Sequence, residues 1–234
     1  MGSMSIGYRA EQFQRGSDVS LPYRATLLNE INSVISENWI VHAPHWSEAH
    51  SPFHDDFGIM LVWHGPALCA YTIYQRFLID AHPVIYRSST AIRPEHQRRG
   101  LYGRLTDFVL SDATLASAPP DGRFMAWRTR SPVVWRSLSR LCNRVAPSLA
   151  DSEEHVHDLV SIADQLSAKL YPKQILEQPS LIMRDVYGHI TYRTEPRCDS
   201  DIALNEWFGS NLGASCDSVF SVGALDARCS YRPT

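Results

Sequence analysis

The sequence predicts an α/β fold of the α+β type, with a mixed, mostly antiparallel sheet flanked by helices. Three β-prone apolar segments, at 57–63, 67–79 and 84–93, follow one another and are separated by turns that contain Gly or Pro. Apolar residues at helical spacing occur before them, at 21–36, and after them, from residue 101. A chain of 234 residues can bury one sizeable core, so we expect a single domain over residues 4–234.

The first half of the chain is expected to contain one helix and three strands. The residues that share one face of the helix over 21–36 are Leu21, Leu27, Leu28, Ile31, Val34 and Ile35. The polar, Pro-containing and His-rich segment 40–56 is interpreted as a loop. The turn His64-Gly65-Pro66 joins the first two strands and predicts a β-hairpin, which the third strand follows.

The second half of the chain is expected to alternate helices and strands. Apolar residues from Leu101 to Ala113 share the face of a helix that the Pro- and Gly-containing segment 118–122 ends. A strand is predicted at 124–129, and Ser131 followed by Pro132 is typical of a helix start. Short patterns predict the remaining elements: helices at 152–170 and 202–208, and strands at 181–186, 190–192 and 218–222.

The segment that joins the third strand to its helix is the most informative feature of the chain. It reads Thr90-Ala-Ile-Arg-Pro-Glu-His-Gln-Arg-Arg-Gly-Leu-Tyr-Gly-Arg-Leu105. Backbone N–H groups at a helix start lack partners within the helix, and the helix dipole favours an anion there. Gly100 lets a phosphate approach the backbone closely, and Arg98 and Arg99 supply charged donors. The turn therefore suits the pyrophosphate of a nucleotide-like cofactor, although it is neither a Walker loop nor a G-x-G-x-x-G fingerprint.

These residues resemble the acetyl-CoA-binding motif of the GCN5-related N-acetyltransferase (GNAT) superfamily. The family motif, Gln/Arg-x-x-Gly-x-Gly/Ala, is matched by Gln97-Arg-Arg-Gly100-Leu-Tyr102 after the step Ile92-Arg-Pro94. Tyr102 departs from the Gly or Ala of the family, and Gly103 follows one residue later. The resemblance covers about residues 57–142. It implies a GNAT-like sheet splayed between its fourth and fifth strands, a closing αβ unit at 202–222, and a helical insertion at 145–180.

The resemblance also implies where acetyl-CoA, or another acyl-CoA, would bind as co-substrate. The cofactor-binding residues that it implies are Thr90, Ala91, Ile92, Gln97, Arg98, Arg99, Gly100, Leu101, Tyr102, Gly103, Arg104, Ser131 and Trp135. A backbone N–H near Thr90–Ile92 is the donor that the family uses for the developing oxyanion. Trp135 stands where the family has a Tyr that protonates the departing thiolate. Trp has no titratable proton, so Trp135 is either a packing residue or part of the catalytic site, and Tyr102 is an alternative phenol.

The His-rich segment 40–56 borders the acceptor groove in the fold that the resemblance implies. A lysine-like amine is mostly protonated at pH 7, so its attack on a thioester needs a base, for which His54 and Asp55 are candidates. The candidate acceptor-binding residues are His42, His45, Asp55, Asp56 and Tyr86. The alternatives for this segment are a solvated polar loop and a divalent metal site. Its His spacing matches no recognised metal motif, so we expect no metal.

Charge is distributed unevenly along the chain. Residues 87–144 contain eleven Arg, no Lys and four acidic residues, a net charge of +7, which leaves −10 for the rest of a chain whose total is −3. A basic middle suits a polyanionic cofactor such as CoA, and an acidic remainder favours a cationic acceptor. The overall acidity, and the lack of interleaved aromatic and basic residues, disfavour nucleic acid as a partner.

The same sequence sets expectations about location and assembly. No apolar run approaches the roughly 18 residues of a membrane span, and no secretory segment follows the first Met. We therefore expect a cytoplasmic protein without a membrane partner. Exposed apolar residues around 181–192 could form the contact of a homodimer.

Three functions are compatible with these patterns. The first is an acyl-CoA-dependent N-acyltransferase that transfers acetyl from acetyl-CoA to the amine of a small molecule by direct attack. The second is a non-catalytic CoA- or acyl-CoA-binding module of the same fold, since Trp135 replaces the family's Tyr and the strand 84–93 has no carboxylate. The third is a metal-dependent hydrolase built on the His-rich segment.

Overall fold

A computed structural model describes residues 7–148, 156–213 and 216–226 of the protein. The helices are α1 (Leu21–Asn38), α2 (Leu101–Leu110), α3 (Ala113–Ala116), α4 (Pro132–Ser139), α5 (His157–Leu170) and α6 (Ile202–Asn211). The strands are β1 (Tyr8–Phe13), β2 (Trp39–Val41), β3 (Phe57–His64), β4 (Ala67–Ile79), β5 (His82–Ile92), β6 (Phe124–Thr129), β7 (Cys142–Ala146), β8 (Leu176–Glu177), β9 (Ile182–Met183), β10 (Ile190–Tyr192) and β11 (Ser218–Leu225).

One mixed sheet organises the fold, in the order β1-β3-β4-β5-β6-β11-β9-β8, with β7 also paired to β11. Neighbouring strands are antiparallel except β5 and β6, which pair in parallel from Val84 opposite Phe124 to Arg87 opposite Trp127. Beyond Arg87 the two strands continue without pairing to each other, so the sheet opens between its fourth and fifth strands. The mostly antiparallel, splayed sheet that the resemblance implies is thereby confirmed.

A β-bulge lies where β5 and β6 part. In the β4–β5 pair, Gln75 lies opposite Tyr86 and Ile73 lies opposite Ser89. Between these two pairs, β4 has one residue and β5 has two. A bulge bends the strand and redirects its side chains. The bulged residues, Arg87 and Ser88, therefore lie where the pairing ends: Arg87 is the last β5 residue opposite β6, and Ser88 is the first without a β6 partner.

Helices cover both faces of the sheet. On one face, α2, α4 and α6 contribute residues such as Phe108, Leu138 and Phe208 to a common apolar cluster. On the other face, α1 packs against β3 and β4, and α5 packs against β11. The apolar stripes that predicted α1, α2 and α4 thus lie against the sheet, as amphipathic helices require.

The C-terminal half holds the largest differences from expectation. In the region 145–180 the structure describes the end of β7, helix α5 and β8. Residues 149–155, which include the first four residues of the helix predicted at 152–170, lie outside the described residues. The expectation of an exposed apolar surface at 181–192 is wrong. Leu181, Ile182 and Met183 are buried because β9 pairs with β11, and Ile190 is buried because β10 pairs with β2. No helix in the described ranges combines the length and the apolarity needed to cross a membrane.

Candidate active site

The opening between β5 and β6 forms a cleft of about 870 Å³, a volume that includes open solvent at its mouth. The strands contribute 86–90 and 127–129, the helices contribute Tyr102, Val134 and Leu138, and the segment 190–192 covers one side. A second cavity of about 720 Å³ adjoins it. The residues that line both are His45, Tyr86, Ser88 and Arg128. Their junction lies where the parallel strand pair ends, which is where a ligand can reach the backbone of both strands.

A small two-stranded sheet closes one side of the cleft. β10 pairs with β2, and the Trp39 and Tyr192 rings meet with their centroids 5.5 Å apart. His42 donates its backbone N–H to the carbonyl of His189 at 2.8 Å and so extends this pairing. The sheet therefore fixes segment 187–192 against the loop that follows α1, and both line the cleft.

Arg87 is a buried guanidinium inside the cleft, with 6% of its surface exposed. Its Nε donates to Thr90 Oγ1 at 2.9 Å, its Nη1 donates to Tyr102 Oη at 3.0 Å, and the guanidinium lies 4.6 Å from the Tyr102 ring centroid. Its Nη2 is buried without a hydrogen-bond partner, and no carboxylate among the described residues forms an ion pair with it. A buried charged donor of this kind calls for an acceptor that a ligand can provide.

Arg128 is the second guanidinium of the site and lines both cavities. It lies between two aromatic rings, 4.5 Å from the centroid of Tyr171 and 4.4 Å from that of Tyr187. Burial alone would lower the pKa of Arg128, but the adjacent Tyr171 and Tyr187 raise it above its ordinary value. Its Nε has no hydrogen-bond partner in the described structure. The side chain is therefore a charged, oriented donor at the junction of the cavities.

His45 and His189 form a stacked pair beside Arg128. His45 Nδ1 and His189 Nε2 are 3.0 Å apart, and the ring planes are inclined by 19°. Burial, followed by His189 and Arg128, lowers the pKa of His45 to about 3. Burial and Arg128 also lower the pKa of His189. His45 is accordingly neutral at pH 7 and is a weak base there.

The turn before α2 has the conformation expected of an anion-binding helix start. Gly100 precedes the first helical residue with a φ of 75°, and Arg98 has a φ of 57°. A Cβ on Gly100 would meet nothing within 4 Å, so the backbone conformation rather than lack of space favours glycine. Gln97 donates to Asn38 Oδ1 at 3.1 Å and to the Ile92 carbonyl at 3.2 Å, which ties the turn to α1 and β5.

The structure distributes the sequence-predicted cofactor residues among three environments. Thr90 and Tyr102 line the cleft. The residues exposed at the turn are Gln97, Arg98, Arg99 and Gly100, with Arg104 half-buried one helical turn later. The apolar residues and Gly103 could offer a cofactor only their backbone groups. Ala91, Leu101 and Gly103 are buried, and the Ile92 carbonyl already accepts hydrogen bonds from Asn38 and Gln97.

Ser131 and Trp135 serve the helix and the core. Ser131 Oγ accepts a hydrogen bond from the Val134 N–H at 3.3 Å, so the predicted N-cap of α4 is confirmed. Trp135 is buried in the apolar cluster that includes Leu138 and Phe108, and it does not line either cavity. Of the two roles considered for Trp135 from the sequence, packing and catalysis, its position in this structure fits packing.

Of the predicted acceptor-side residues, the structure brings only His45 and Tyr86 to the cavities. The others lie elsewhere: His42 and His54 are exposed, Asp55 bonds the Ser17 hydroxyl, and Asp56 accepts from Gln75 Nε2 at 2.6 Å. Within the described residues, neither cavity is lined by Asp or Glu, so the expected acidic groove is absent from these linings.

The His-rich segment does not assemble a metal site. Within the described ranges, one group of three potential metal ligands is found, and it lines neither cavity. Its members are Asp185, Cys216 and Asp217. Asp217 is already ion-paired to Arg184 at 2.8 Å. The hydrolase alternative therefore lacks a grouped set of histidine ligands in this structure.

Sequence reasoning missed most of the polar residues at the cavity junction. Arg87 and Arg128 carried a signal, since each directly follows a run of apolar residues within a strand, where burial is costly without a partner or a ligand. Tyr171, Tyr187 and His189 carried none. Tyr187 and His189 come from a stretch without clear periodicity that precedes β10, which pairs with β2, and Tyr171 follows the last residue of α5.

No protein-family model matches the chain, and no curated protein sequence matches it. Among solved structures, Escherichia coli ribosomal-protein-S18-alanine N-acetyltransferase aligns at 12% identity over 97% of this chain and 99% of that chain, with a TM-score of 0.41. Aminoglycoside N-acetyltransferase AAC(6')-Iy in complex with CoA aligns at 14% over 60% and 89%, also at 0.41. An aminoglycoside acetyltransferase from an uncultured soil metagenomic sample aligns at 15% over 42% of this chain, at 0.32. That match spans 64% of the metagenomic protein's length. Likenesses this distant carry no functional argument.

Proposed function

We propose that the protein is an acyl-CoA-dependent N-acyltransferase that transfers acetyl from acetyl-CoA to the amine of a small molecule. The observation that supports this most is the position of the anion-binding turn at one end of an open parallel strand pair. Tyr102, two residues beyond Gly100, lines the cleft, so the turn and the cleft are continuous. Phosphates at the turn and a thioester in the cleft would then belong to one extended cofactor.

The donors of the site suit the parts of CoA. Arg98, Arg99 and Arg104, with the first N–H groups of α2, would bind the phosphates. Inside the cleft, Arg87 Nη2 and Trp127 Nε1 are buried donors without partners. The pantetheine arm of CoA has two amide carbonyls, which are acceptors of the kind these donors lack.

The reaction would take place where β5 has lost its partner strand. Successive backbone N–H groups of a strand point alternately to either side, so part of Ser88–Thr90 directs donors into the cleft. Such a donor would stabilise the oxyanion formed when the amine nitrogen attacks the thioester carbonyl carbon. Collapse of this intermediate breaks the C–S bond, the former amine nitrogen releases a proton to water, and the thiolate takes a proton.

Tyr102 is the proton donor that we assign to the thiolate. Arg87 Nη1 donates to the phenol oxygen at 3.0 Å, so the phenol's own proton is directed away from Arg87. On the acceptor side, His45, with a pKa of about 3, is too weak a base to deprotonate an ammonium group efficiently.

A CoA-binding module without turnover is the second candidate. Two observations favour it: the cavities have no carboxylate lining within the described residues, and Trp135, at the family's Tyr position, is part of the core. Both candidates require CoA at the same turn. They differ in whether free thiol is released when an amine is present.

The test compares thermal unfolding with and without saturating acetyl-CoA or CoA, in the unmodified protein and in Gly100→Glu. A ligand at 100 times its Kd adds about 2.7 kcal/mol, which raises Tm by several degrees in a chain of this size. Gly65→Glu is the matched control, because Gly65 also has a positive φ, of 58°, with nothing within 4 Å of a Cβ, and lies outside both cavities.

A Tm shift that is lost in Gly100→Glu and kept in Gly65→Glu supports CoA binding at the turn. Thiol release from acetyl-CoA with any member of an amine panel then supports the transferase. Binding without thiol release across the panel supports the module instead. The absence of any shift in the unmodified protein contradicts both.

A further inference from the structure

The cavity junction carries positive charge that no acidic side chain balances. Arg128 lines both cavities and Arg87 lines the adjoining cleft, and within the described residues neither forms an ion pair with a carboxylate. We propose that the acceptor amine carries its own anionic group, a carboxylate or a phosphate, which binds Arg128. This inference rests on the proposed N-acyltransferase function and narrows its acceptor from any small amine to an anionic one.

Arg128 is placed to bind an anionic group. Its guanidinium lies between the Tyr171 and Tyr187 rings at 4.5 and 4.4 Å, and Tyr187 Oη donates to the Arg128 backbone carbonyl at 3.2 Å. Its Nε has no hydrogen-bond partner among the described residues, so this donor is available to a ligand. Carboxylates and phosphates accept hydrogen bonds from a guanidinium, in a bidentate manner where a second N–H is also available.

The groups around Arg128 are neutral or hydrogen-bond donors. Tyr86 and Tyr171 share one hydrogen bond at 2.6 Å between their hydroxyls, so one of the two O–H groups remains free to donate to a ligand. His45 and His189 have lowered pKa values because of burial and Arg128, and so add no negative charge. Asp56 does not line this cavity and accepts a hydrogen bond from Gln75, which does. An anionic ligand would therefore supply the negative charge that the cavity linings lack.

The position of Arg128 sets the distance between anion and amine. Arg128 follows directly on Trp127, the last β6 residue in register with β5, and Ser88 follows on the last paired residue of β5. Ser88, the first residue of the segment with the proposed oxyanion donor, and Arg128, the proposed anion receptor, therefore both come directly after the last paired residue of their strands. They lie on opposite sides of the opening. An acceptor whose anion binds Arg128 while its amine attacks the thioester at the oxyanion donor has its anion within a few bonds of its amine, as amino acids and phosphorylated amino alcohols do. Polycations such as polyamines are disfavoured.

The first measurement is thiol release from acetyl-CoA with matched acceptor pairs. An amino acid is compared with its amide, and phosphoethanolamine with ethanolamine, so that the arms distinguish carboxylate from phosphate. We expect kcat/KM to be about tenfold to a hundredfold higher for the anionic member of at least one pair, the range that charged hydrogen bonds provide. Equal or better rates with the neutral members of both pairs would overturn the inference and leave the transferase intact.

Variants test whether Arg128 provides this preference. Arg128→Gln should abolish it and Arg128→Lys should keep part of it, because lysine keeps the charge but not the fork. Arg144→Gln is the matched control, since Arg144 is ion-paired to Asp158 at 2.8 Å on the surface, outside both cavities. A preference that survives in a folded Arg128→Gln protein would contradict the assignment.

The second measurement needs no acetyl-CoA and so separates the two claims. Tm is recorded with an N-acetyl amino acid, with its amide, and with N-acetylphosphoethanolamine, in the unmodified protein and in Arg128→Gln. If the anionic compounds raise Tm, the neutral amide does not, and the effect is lost in Arg128→Gln, the anion receptor is supported. This holds even if acetyl-CoA does not bind, a result that would contradict the transferase. If the protein binds and turns over acetyl-CoA but shows neither stabilisation by anions nor a preference for anionic acceptors, only the anion receptor is contradicted.

Discussion

Tyr102 is the residue at which the chain departs from the motif that it otherwise follows, and the structure gives its side chain a place in the cleft. Its ring packs 4.6 Å from Arg87 and its hydroxyl accepts from the same guanidinium. Tyr102→Phe removes the hydroxyl and keeps the ring. If Tyr102 protonates the thiolate, kcat should fall about 10- to 100-fold with little change in the KM for acetyl-CoA, as measured by thiol release.

Tyr192→Phe is the control for this prediction, because Tyr192 also lines the cleft but belongs to the covering strand β10. Its activity should stay within a few-fold of the unmodified protein. A Tyr102→Phe protein with unchanged kcat would remove Tyr102 as the proton donor. A rise in KM alone would assign the hydroxyl to cofactor binding instead.

At the scale of the element, α4 is short and depends on its cap. Ser131 Oγ accepts from the Val134 N–H, and the Ser131 N–H donates to Thr129 Oγ1 at 2.9 Å. Ser131→Ala should destabilise the protein by about 1 kcal/mol, or lower Tm by roughly 2–4 °C. Ser137→Ala, on the same helix without a cap role, should be neutral or slightly stabilising. An acetyl-CoA-induced Tm shift that disappears in Ser131→Ala would show that Ser131 also binds cofactor.

Elements with strong local signals were predictable from the sequence, and those defined by distant partners were not. The strands β4 and β6 have the predicted bounds because each is a dense apolar run that turn-forming residues enclose. β7 was missed because its strand identity comes from pairing with β11, some eighty residues later. The site divides in the same way. The turn around Gly100 is a local motif, whereas the Arg128 receptor needs tyrosines that only tertiary structure brings together.

At the scale of the whole molecule, net charge proved a poor guide to the charge of the cavity linings. The acidic remainder of the chain suggested a cationic acceptor, yet the cavity linings within the described residues hold two arginines and no carboxylate. Surface acids such as Glu195 and Asp158 are instead paired with surface arginines. The field at a partly buried site is set by the few groups that line it, because water screens the exposed charges beyond it.

The lowered pKa values of the histidines predict how the stability of the whole fold depends on pH. His45, His50, His96 and His189 all have lowered pKa values with burial as the first cause, and that of His45 falls to about 3. The unfolded chain binds these protons near pH 6.5, whereas the folded chain binds them only at lower pH. The stabilisation is therefore complete above pH 6.5 and is lost as the pH falls from there towards the folded pKa values.

Acidification from pH 7.5 to 5.0, where Asp and Glu still titrate little, should thus lower the free energy of unfolding. His45 alone contributes up to about 1.4 kcal/mol per pH unit below 6.5, or about 2 kcal/mol at pH 5.0, and the more exposed histidines contribute less. Denaturant unfolding of His45→Gln at the two pH values should show a loss smaller by about this amount. His42→Gln, which replaces an exposed histidine of the same segment, should show the loss of the unmodified protein. If all three proteins lose the same free energy, His45 is not the buried neutral group that couples this cleft to pH.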